Sequence, residues 1–160
     1  MATALFDSPL GPLGLAASSR GLVEVSLQGR VAPRGSEADP AARAILDDAQ
    51  SQLGEYFAGR RREFDVPFDV DLGDGFRGRA LAALSGVPFG ETVTYGGLAE
   101  LAGFPKAARA AGTACSTNPL AMFIPCHRVV PASGGIGKYG GGESMKRALL
   151  ELEGVVEPRR

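Results

Sequence analysis

Apolar residues near the start of the chain occur in short runs separated by turn-forming residues. The runs lie at residues 4–6, 12–17 and 22–27, with Ser-Pro-Leu-Gly after the first and Ser-Ser-Arg-Gly after the second. Short apolar runs bounded by Gly, Pro and Ser predict strands joined by tight turns. We therefore expect three short strands that form a small antiparallel sheet.

The pattern changes to a helical period after Asp39-Pro40. Asp39 is a favourable N-cap and Pro40 fits the first helical position, because no helical partner is needed there for its missing N–H. Apolar residues then recur at helical spacing up to Gly59: Ala42, Ile45, Ala49, Leu53 and Tyr56. These positions predict an amphipathic helix that covers the sheet. A further strand is expected within Phe64–Val70 and a second helix from Phe76 to Leu84.

The second half of the chain has the pattern of a helix-turn-helix. A short helix follows Thr92 or Thr94 as N-cap and ends at the breaking sequence Gly-Phe-Pro, and another extends from Lys106 to Cys115. The second of these helices has five alanines, one glycine and a single arginine. Few of its side chains could read base edges, so it is suited to approach a nucleic-acid backbone or a narrow groove. Simple packing of an Ala-rich helix against its neighbours is the alternative.

A buried segment ending at Cys126 precedes a loop at residues 131–142 that contains six glycines. Glycine lets a backbone lie flat against a ligand, and Tyr139 among the glycines offers a stacking surface. A flexible hairpin without a ligand is the alternative interpretation of this loop.

The last helix is predicted to begin near Glu143 and to end at Glu153, before Gly154. Its expected buried face consists of Met145, Ala148, Leu149 and Leu152. A carboxylate in the last helical turn is disfavoured by the helix dipole. The residues alone therefore favour a solvated Glu153.

Composition indicates a folded protein of one domain or two small fused domains. The chain has 160 residues, of which 44% are hydrophobic, and it carries neither a signal-peptide pattern nor a membrane-spanning segment. Its two cysteines cannot form a disulfide framework, which predicts a cytoplasmic protein with no membrane association. Residues 1–85 have a net charge of −3 and residues 86–160 of +2. This asymmetry permits an acidic scaffold and a basic working half, although many proteins that bind no nucleic acid share it.

The most informative residues are Cys126 and His127, since His127 is the only histidine. Apolar neighbours should raise the pKa of the Cys126 thiol. In an extended segment consecutive side chains point to opposite faces, so activation by His127 would need a water or a bent backbone, and a carboxylate to orient the imidazole. An inert buried cysteine beside a structural histidine is the alternative. The chain offers too few Cys and His ligands for a zinc shell without carboxylates, so no metal site is predicted.

Three motifs together resemble the O6-alkylguanine-DNA alkyltransferase family. They are Pro125-Cys-His-Arg-Val129, the Asn118-Pro119 pair before it, and the sequence Ala-Ala-Arg-Ala-Ala-Gly at residues 107–112. The resemblance covers the chain from about residue 76 to residue 154. It implies an α+β fold in which a small ribonuclease-H-like domain at residues 1–74 precedes a winged helix-turn-helix domain at residues 75–160.

The resemblance also implies a function, direct-reversal DNA repair. Cys126 would irreversibly accept the alkyl group of O6-alkylguanine, and of O4-alkylthymine, so that each molecule acts once. His127 would deprotonate the thiol through a water, and Glu153 would orient His127, which replaces the expectation of a solvated carboxylate. Asn118 would tie the helix-turn-helix to the active-site segment, and Tyr95 would hydrogen-bond the base.

Further residues are assigned to DNA and to the base by the same resemblance. Arg109 would fill the gap left by the extruded base. The residues expected to contact DNA are Thr94, Tyr95, Ala108, Arg109, Cys115 and Arg128. The residues expected to form the substrate pocket are Val129, Tyr139 and Gly140, and the carbonyls of Cys126 and Val129 would accept from the guanine amino group.

The implied partner is double-stranded DNA, bound through the minor groove with little sequence preference by a monomeric protein that uses no cofactor. Two other classes stay open on the residues alone. One is a non-enzymatic binder of alkylated DNA, which would lack the acceptor cysteine. The other is a winged-helix regulator that binds a defined operator.

Overall fold

The computed structural model describes residues 1–29 and 39–155 of the chain. It divides into two compact units, one formed by Met1–Asp71 with Pro119–Ala121 and the other by the remaining residues. Residues 30–38 and 156–160, which belong to the predicted domains, lie outside the described residues. Within the described part of the chain, no helix is both long and apolar enough to cross a membrane.

The first unit contains the three predicted strands. They are β1 (Ala2–Ser8), β2 (Gly11–Ala17) and β3 (Leu22–Ser26), which pair antiparallel in the order β1-β2-β3. The turn between β1 and β2 places Gly11 at φ 114°, a backbone conformation that favours glycine. The turn residues in the sequence therefore predicted the sheet correctly.

Helix α1 (Pro40–Phe57) lies in the same unit and begins as the sequence predicts. The Asp39 carboxylate accepts from the backbone N–H groups of Ala41 and Ala42 at 3.0 and 3.3 Å. Its buried residues are Ala42, Leu46, Ala49, Gln52, Leu53 and Tyr56. Ile45 is only half-buried, because the buried stripe passes through Leu46 instead.

The strand expected within Phe64–Val70 is absent from the described residues, where a single parallel bridge joins Leu22 to Phe68. Two hydrogen bonds form this bridge, from Leu22 N–H to the Pro67 carbonyl and from Asp69 N–H to the Leu22 carbonyl. Pro67 has no N–H with which to extend a ladder, so the prediction of a strand was wrong.

Residues Pro119–Ala121 pair with β3 although they lie far along the chain. Val25 N–H donates to the Pro119 carbonyl at 2.8 Å, and Val25 forms a parallel bridge with Leu120. Leu120 is fully buried. This tripeptide is therefore part of the first unit, directly after Asn118.

The second unit is mostly helical. Its elements are α2 (Phe76–Leu84), β4 (Val93–Thr94), α3 (Tyr95–Leu101), α4 (Ala108–Ser116), a 3-10 turn (Cys126–Arg128), β5 (Val129–Val130) and α5 (Glu143–Leu152). Thr94 caps α3 by accepting from Gly97 N–H at 2.9 Å. Helix α4 begins two residues later than predicted, since residues 104–107 form a turn closed by Ala107 N–H and the Phe104 carbonyl. Strands β4 and β5 pair in parallel, with Val93 opposite Val129.

The buried face of α5 differs from the predicted one. Lys146, Leu149 and Leu150 are buried, whereas the other predicted positions, Met145, Ala148 and Leu152, are half-buried. A lysine can occupy the buried face here because its ammonium group donates to the backbone carbonyls of Val129 and Lys138. Hydrophobic periodicity could not predict this.

Candidate active site

The segment that carries Cys126 is buried throughout, from Leu120 to Val130. Cys126, His127 and Arg128 form a 3-10 turn in which Arg128 N–H donates to the Pro125 carbonyl at 3.0 Å. The backbone at the thiol is therefore bent and not extended. A bent backbone is one of the two arrangements, besides a bridging water, through which His127 could act on the Cys126 thiol.

Cys126 is 8% exposed, and burial raises the pKa of its thiol, as the apolar neighbours predicted. A side-chain hydrogen bond from Asn118 and the positive charge of Lys146 both act in the opposite direction and favour the thiolate. The Asn118 amide also donates to the Ile124 carbonyl at 2.8 Å. Asn118, at the end of the helix-turn-helix, therefore holds the backbone two residues before the thiol.

Glu153 is a buried acceptor for two neighbouring residues of the turn. One carboxylate oxygen, Oε2, lies 2.7 Å from His127 Nε2 and 3.0 Å from Arg128 Nη2, and the other, Oε1, lies 2.8 Å from Arg128 Nε. The Glu153 side chain is fully buried, so a solvated carboxylate is excluded. The guanidinium of Arg128 provides the counter-charge that burial of this carboxylate requires.

The contact with Glu153 fixes the tautomer of His127. A carboxylate paired with arginine can only accept, so Nε2 carries the proton and Nδ1 keeps its lone pair. Nδ1 is buried and has no hydrogen-bond partner among the described residues. Burial lowers the pKa of His127, while Glu153 acts in the opposite direction. The site thus holds a neutral imidazole whose basic nitrogen is available.

Arg128 does not lie where a DNA contact would require it. It is 7% exposed, and besides its two contacts with Glu153 it donates from Nη1 to the Val87 carbonyl at 2.7 Å. Its hydrogen-bonding groups face the protein interior, so the assignment to the DNA surface was wrong for this residue. Arg128 instead holds Glu153 in place.

The two tyrosines near the thiol are both half-buried. Tyr95, the first residue of α3, is half-buried, and burial together with the two cysteines raises its pKa. Tyr139 packs edge-on against the His127 ring with 6.5 Å between ring centroids. Its hydroxyl is buried without a partner among the described residues, and burial raises its pKa. Gly140 beside it is exposed.

Sequence comparison matches both halves of the chain to one family. Residues 1–70 match the ribonuclease-like domain and residues 75–155 the DNA-binding domain of 6-O-methylguanine DNA methyltransferase. The chain belongs to the 6-O-methylguanine DNA methyltransferase family. This membership confirms the resemblance seen in the motifs and the α+β fold inferred from it.

Curated members of this methyltransferase family are similar over most of the chain. The methylated-DNA–protein-cysteine methyltransferase of Mycobacterium bovis is 46% identical over 148 residues, covering 92% of this chain and 88% of the relative. The Homo sapiens protein of the same name is 40% identical, covering 92% and 78%. A crystal structure of Mycobacterium tuberculosis OGT in complex with DNA matches with a TM-score of 0.81 and 44% identity, covering 96% of this chain and 92% of that one.

Helix α4, the second helix of the helix-turn-helix, begins with two residues that are predicted to contact DNA. Ala108 and Arg109 are exposed, whereas Cys115 and Thr94 are half-buried. Burial and the nearby Cys126 raise the pKa of Cys115 to about 12, so this second thiol is a poor nucleophile.

An unpredicted contact supports the far end of α4. The Arg77 guanidinium on α2 donates to the Thr117 hydroxyl at 2.9 Å and to the Thr117 carbonyl at 2.6 Å. Because Thr117 directly precedes Asn118, this contact fixes the end of the helix next to the residue that positions the Cys126 segment.

Sequence reasoning also missed Lys146. Its ammonium group donates to the Val129 carbonyl at 2.6 Å and to the Lys138 carbonyl at 3.2 Å, and it lies 5.9 Å from the centroid of the Tyr95 ring. The signal available in the sequence was its position three residues before Leu149, on the buried face of α5. A charged residue within an apolar stripe indicates either a partner or a function.

Proposed function

We propose that this protein repairs double-stranded DNA by direct reversal, moving the alkyl group of O6-alkylguanine irreversibly onto Cys126. Family membership carries the reaction class, since the relatives are named methylated-DNA–protein-cysteine methyltransferases. The observation that supports Cys126 as the acceptor is the 2.7 Å contact between Glu153 and His127 Nε2. This contact leaves the other imidazole nitrogen, Nδ1, as a base in the residue that directly follows Cys126. The thioether product is not converted back to a thiol, so each molecule acts once.

The first step in this proposal is proton transfer. The Cys126 thiol gives its proton to His127 Nδ1 through one water molecule, and Glu153 stabilises the imidazolium that results. The Arg128 guanidinium keeps Glu153 ionised and in position for this role. Burial alone would keep the thiol protonated, so the base is required.

The second step is displacement at a saturated carbon. The thiolate attacks the alkyl carbon, so that a bond forms between Sγ and carbon while the bond from that carbon to guanine O6 breaks. The electron pair of the broken bond remains on the departing guanine. A hydrogen bond from the Tyr95 hydroxyl stabilises this developing negative charge.

We infer that DNA binds through its minor groove, with the damaged base turned out of the helix into a pocket formed by Val129, Tyr139 and Gly140. Arg109 fills the space the base leaves. The support for this arrangement is the exposure of Ala108 and Arg109 on a helix with few long side chains. We expect a monomer with little sequence preference and O4-alkylthymine as a second substrate. A free acceptor thiol favours the reducing cytoplasm.

Mass spectrometry after incubation with a duplex containing O6-methylguanine tests the transfer. The expected result is one added methyl group per molecule, located by peptide mapping on Cys126 and absent from Cys115. The variant Cys126→Ala should bind the duplex and gain no mass. Binding by the unaltered protein at full affinity without a mass gain would refute the transfer and favour a non-enzymatic binder of damaged DNA.

The proposed DNA contact has its own test. Two O6-methylguanine duplexes with unrelated flanking sequences should be bound with similar Kd, and Arg109→Ala should slow the transfer from both. A strong preference for one flanking sequence would contradict the proposal and favour a sequence-specific regulator.

A further inference from the structure

Helix α4 has no basic residue in its own last turn, and α2 provides one. Cations are favoured at a helix C-terminus, because the final carbonyls have no partner within the helix. The guanidinium of Arg77, on α2, donates from Nε to the Thr117 hydroxyl at 2.9 Å and from Nη2 to the Thr117 carbonyl at 2.6 Å. Arg77 is therefore a C-terminal cap for α4 from 40 positions earlier in the chain.

The residue that Arg77 holds, Thr117, is also tied to α4. Its backbone N–H and its hydroxyl both donate to the Thr113 carbonyl, at 3.1 and 3.0 Å. The Thr117 hydroxyl thus donates to the helix while it accepts from Arg77. Because a guanidinium presents its donors in a rigid plane, two bonds to one residue fix the direction of the backbone that leaves α4. That backbone leads directly into Asn118.

Hydrogen bonds continue from Asn118 to the acceptor turn. The Asn118 amide donates to the Ile124 carbonyl at 2.8 Å, and Cys126 N–H donates to the same carbonyl at 2.8 Å. The Ile124 carbonyl oxygen is therefore shared by the end of the helix-turn-helix and the backbone of the acceptor cysteine. The Asn118 side chain also hydrogen-bonds the Cys126 thiol. A displacement of Asn118 would disturb both contacts.

We propose that Arg77 is a positioning residue for the alkyl transfer, which acts through Thr117 and Asn118 on the backbone and the thiol of Cys126. This inference rests on the proposed function. Each step from Arg77 to the Cys126 backbone is a hydrogen bond no longer than 2.9 Å or a covalent link between neighbouring residues. A half-buried side chain on α2 thus contributes to the geometry of a buried thiol.

General attraction of DNA by a positive charge is the competing explanation. A lysine would serve that purpose as well, because the release of counter-ions depends on charge and not on the geometry of the donors. The two bonds to Thr117 instead require the planar guanidinium. Arg79, two residues further along α2, offers a comparison, since it is exposed and lies 5.7 Å from the centroid of the Phe104 ring.

The test uses two variants and a matched control. Arg77→Met removes the charge and both hydrogen bonds to Thr117, whereas Arg77→Lys keeps the charge and loses the paired donors. Arg79→Met is the control, because it removes one charge from the same helix and leaves the contact with Thr117 in place.

The first readout is the pH dependence of Cys126 modification by iodoacetamide, followed by mass spectrometry without DNA. We expect Arg77→Met to raise the pH midpoint by about half a unit, which is about threefold less thiolate at neutral pH. Methyl transfer from a saturating O6-methylguanine duplex should slow by about tenfold, because the thiol is also misplaced. Arg77→Lys should recover DNA affinity but not the midpoint or the transfer rate. Arg79→Met should change neither.

The second readout tests the route through Asn118. In an Asn118→Ala background, Arg77→Met should have almost no further effect on the midpoint, because the contacts that Arg77 positions are already lost. Shifts that simply add in the double variant would refute this route. An unchanged midpoint and transfer rate in Arg77→Met, or full recovery of both in Arg77→Lys, would overturn the proposal.

A further variant decides the question if Arg77→Met does not fold. Thr117→Ala removes the hydroxyl that accepts from Arg77 and keeps the carbonyl, so it should shift the midpoint in the same direction by a smaller amount. No shift in that variant would count against the proposal. Because the iodoacetamide reaction needs no DNA, absence of methyl transfer in the unaltered protein would refute the proposed function separately.

Discussion

The two units bury different kinds of polar side chain. In the first unit the buried polar residues among those described are Ser8 and Gln52, and the Gln52 amide is satisfied by the backbone N–H and carbonyl of Asp65 at 2.7 and 3.0 Å. In the second unit the described buried polar residues are all ionisable: His127, Arg128, Lys146 and Glu153.

This difference separates buried polar residues that only stabilise the fold from buried polar residues that also serve the alkyl transfer. A neutral amide can be satisfied by backbone groups, whereas buried charges depend on one another, and removal of one leaves the others unpaired. The first unit should therefore respond to substitution only in stability. The second should lose stability and alkyl transfer together.

The largest effect is expected for Glu153→Ala, which leaves both His127 and Arg128 buried without their acceptor. The free energy of unfolding should fall by about 3–5 kcal/mol, and the transfer rate by about 100-fold or more as general-base catalysis is lost. Urea denaturation and single-turnover transfer measure the two effects. In the control Gln52→Ala the loss of stability should be about 1–3 kcal/mol with an unchanged transfer rate. Equal losses of stability in the two variants would break the comparison.

A matched pair of leucines separates packing from chemistry. Leu53 in α1 and Leu149 in α5 are both fully buried. Leu53→Ala and Leu149→Ala should each lower the free energy of unfolding by about 2–5 kcal/mol. Only Leu149→Ala should slow the transfer, because its helix leads directly into Glu153, which contacts His127. A similar transfer rate for the two variants, measured where both are folded, would count against the division.

Acid should destabilise the protein through His127. Burial lowers the pKa of this residue, so below about pH 6.5 the unfolded chain takes up a proton before the folded one does. The free energy of unfolding should then fall as the pH decreases, by at most about 1.4 kcal/mol per pH unit. Denaturation series between about pH 5.5 and 7.5 test this slope, since carboxylates titrate below that range. A His127→Gln variant with an undiminished slope would show that another group is responsible.

The smallest expected effect concerns the helix cap in the first unit. Asp39→Ala removes the acceptor for two N–H groups of α1 and should lower the free energy of unfolding by about 1 kcal/mol, with no effect on transfer. Thermal unfolding measures the change. Asp47→Ala, at an exposed position within the same helix, should alter stability by less than about 0.5 kcal/mol. A slower transfer in the Asp39→Ala variant would show that the first unit contributes to the reaction, which would contradict the comparison of the two units.

Sequence reasoning succeeded where the signal is local. Asp39 was predicted as a cap, and Thr94 was one of two candidates with Thr92, because the residues that Asp39 and Thr94 serve lie two or three positions away. Turn residues likewise delimited the three strands. These features depend on neighbouring residues, which a single sequence displays directly.

Sequence reasoning failed where the hydrogen-bond partner of a residue is distant in the chain. Arg128 reaches Glu153 across 25 positions and Val87 across 41, and Lys146 reaches Val129 across 17. No local pattern identifies the distant partners of Arg128, so it was assigned to DNA. Lys146 was missed although it lies on the apolar stripe of α5, because its backbone acceptors lie elsewhere in the chain. The role of Glu153 came from family resemblance, while its isolated position in a helix end suggested a solvated group.

The tripeptide Pro119–Ala121 has a consequence for anyone who recombines parts of this protein. It belongs to the first unit, although it lies between Asn118 and the acceptor segment. A fragment that starts at residue 72 would retain Leu120 and lose the strand residue Val25 with which it pairs. A chimera that exchanges the first unit with that of a relative should therefore exchange residues 119–121 as well. The first unit is built from two separate segments of the chain, and the second of these segments ends at Ala121, five residues before Cys126.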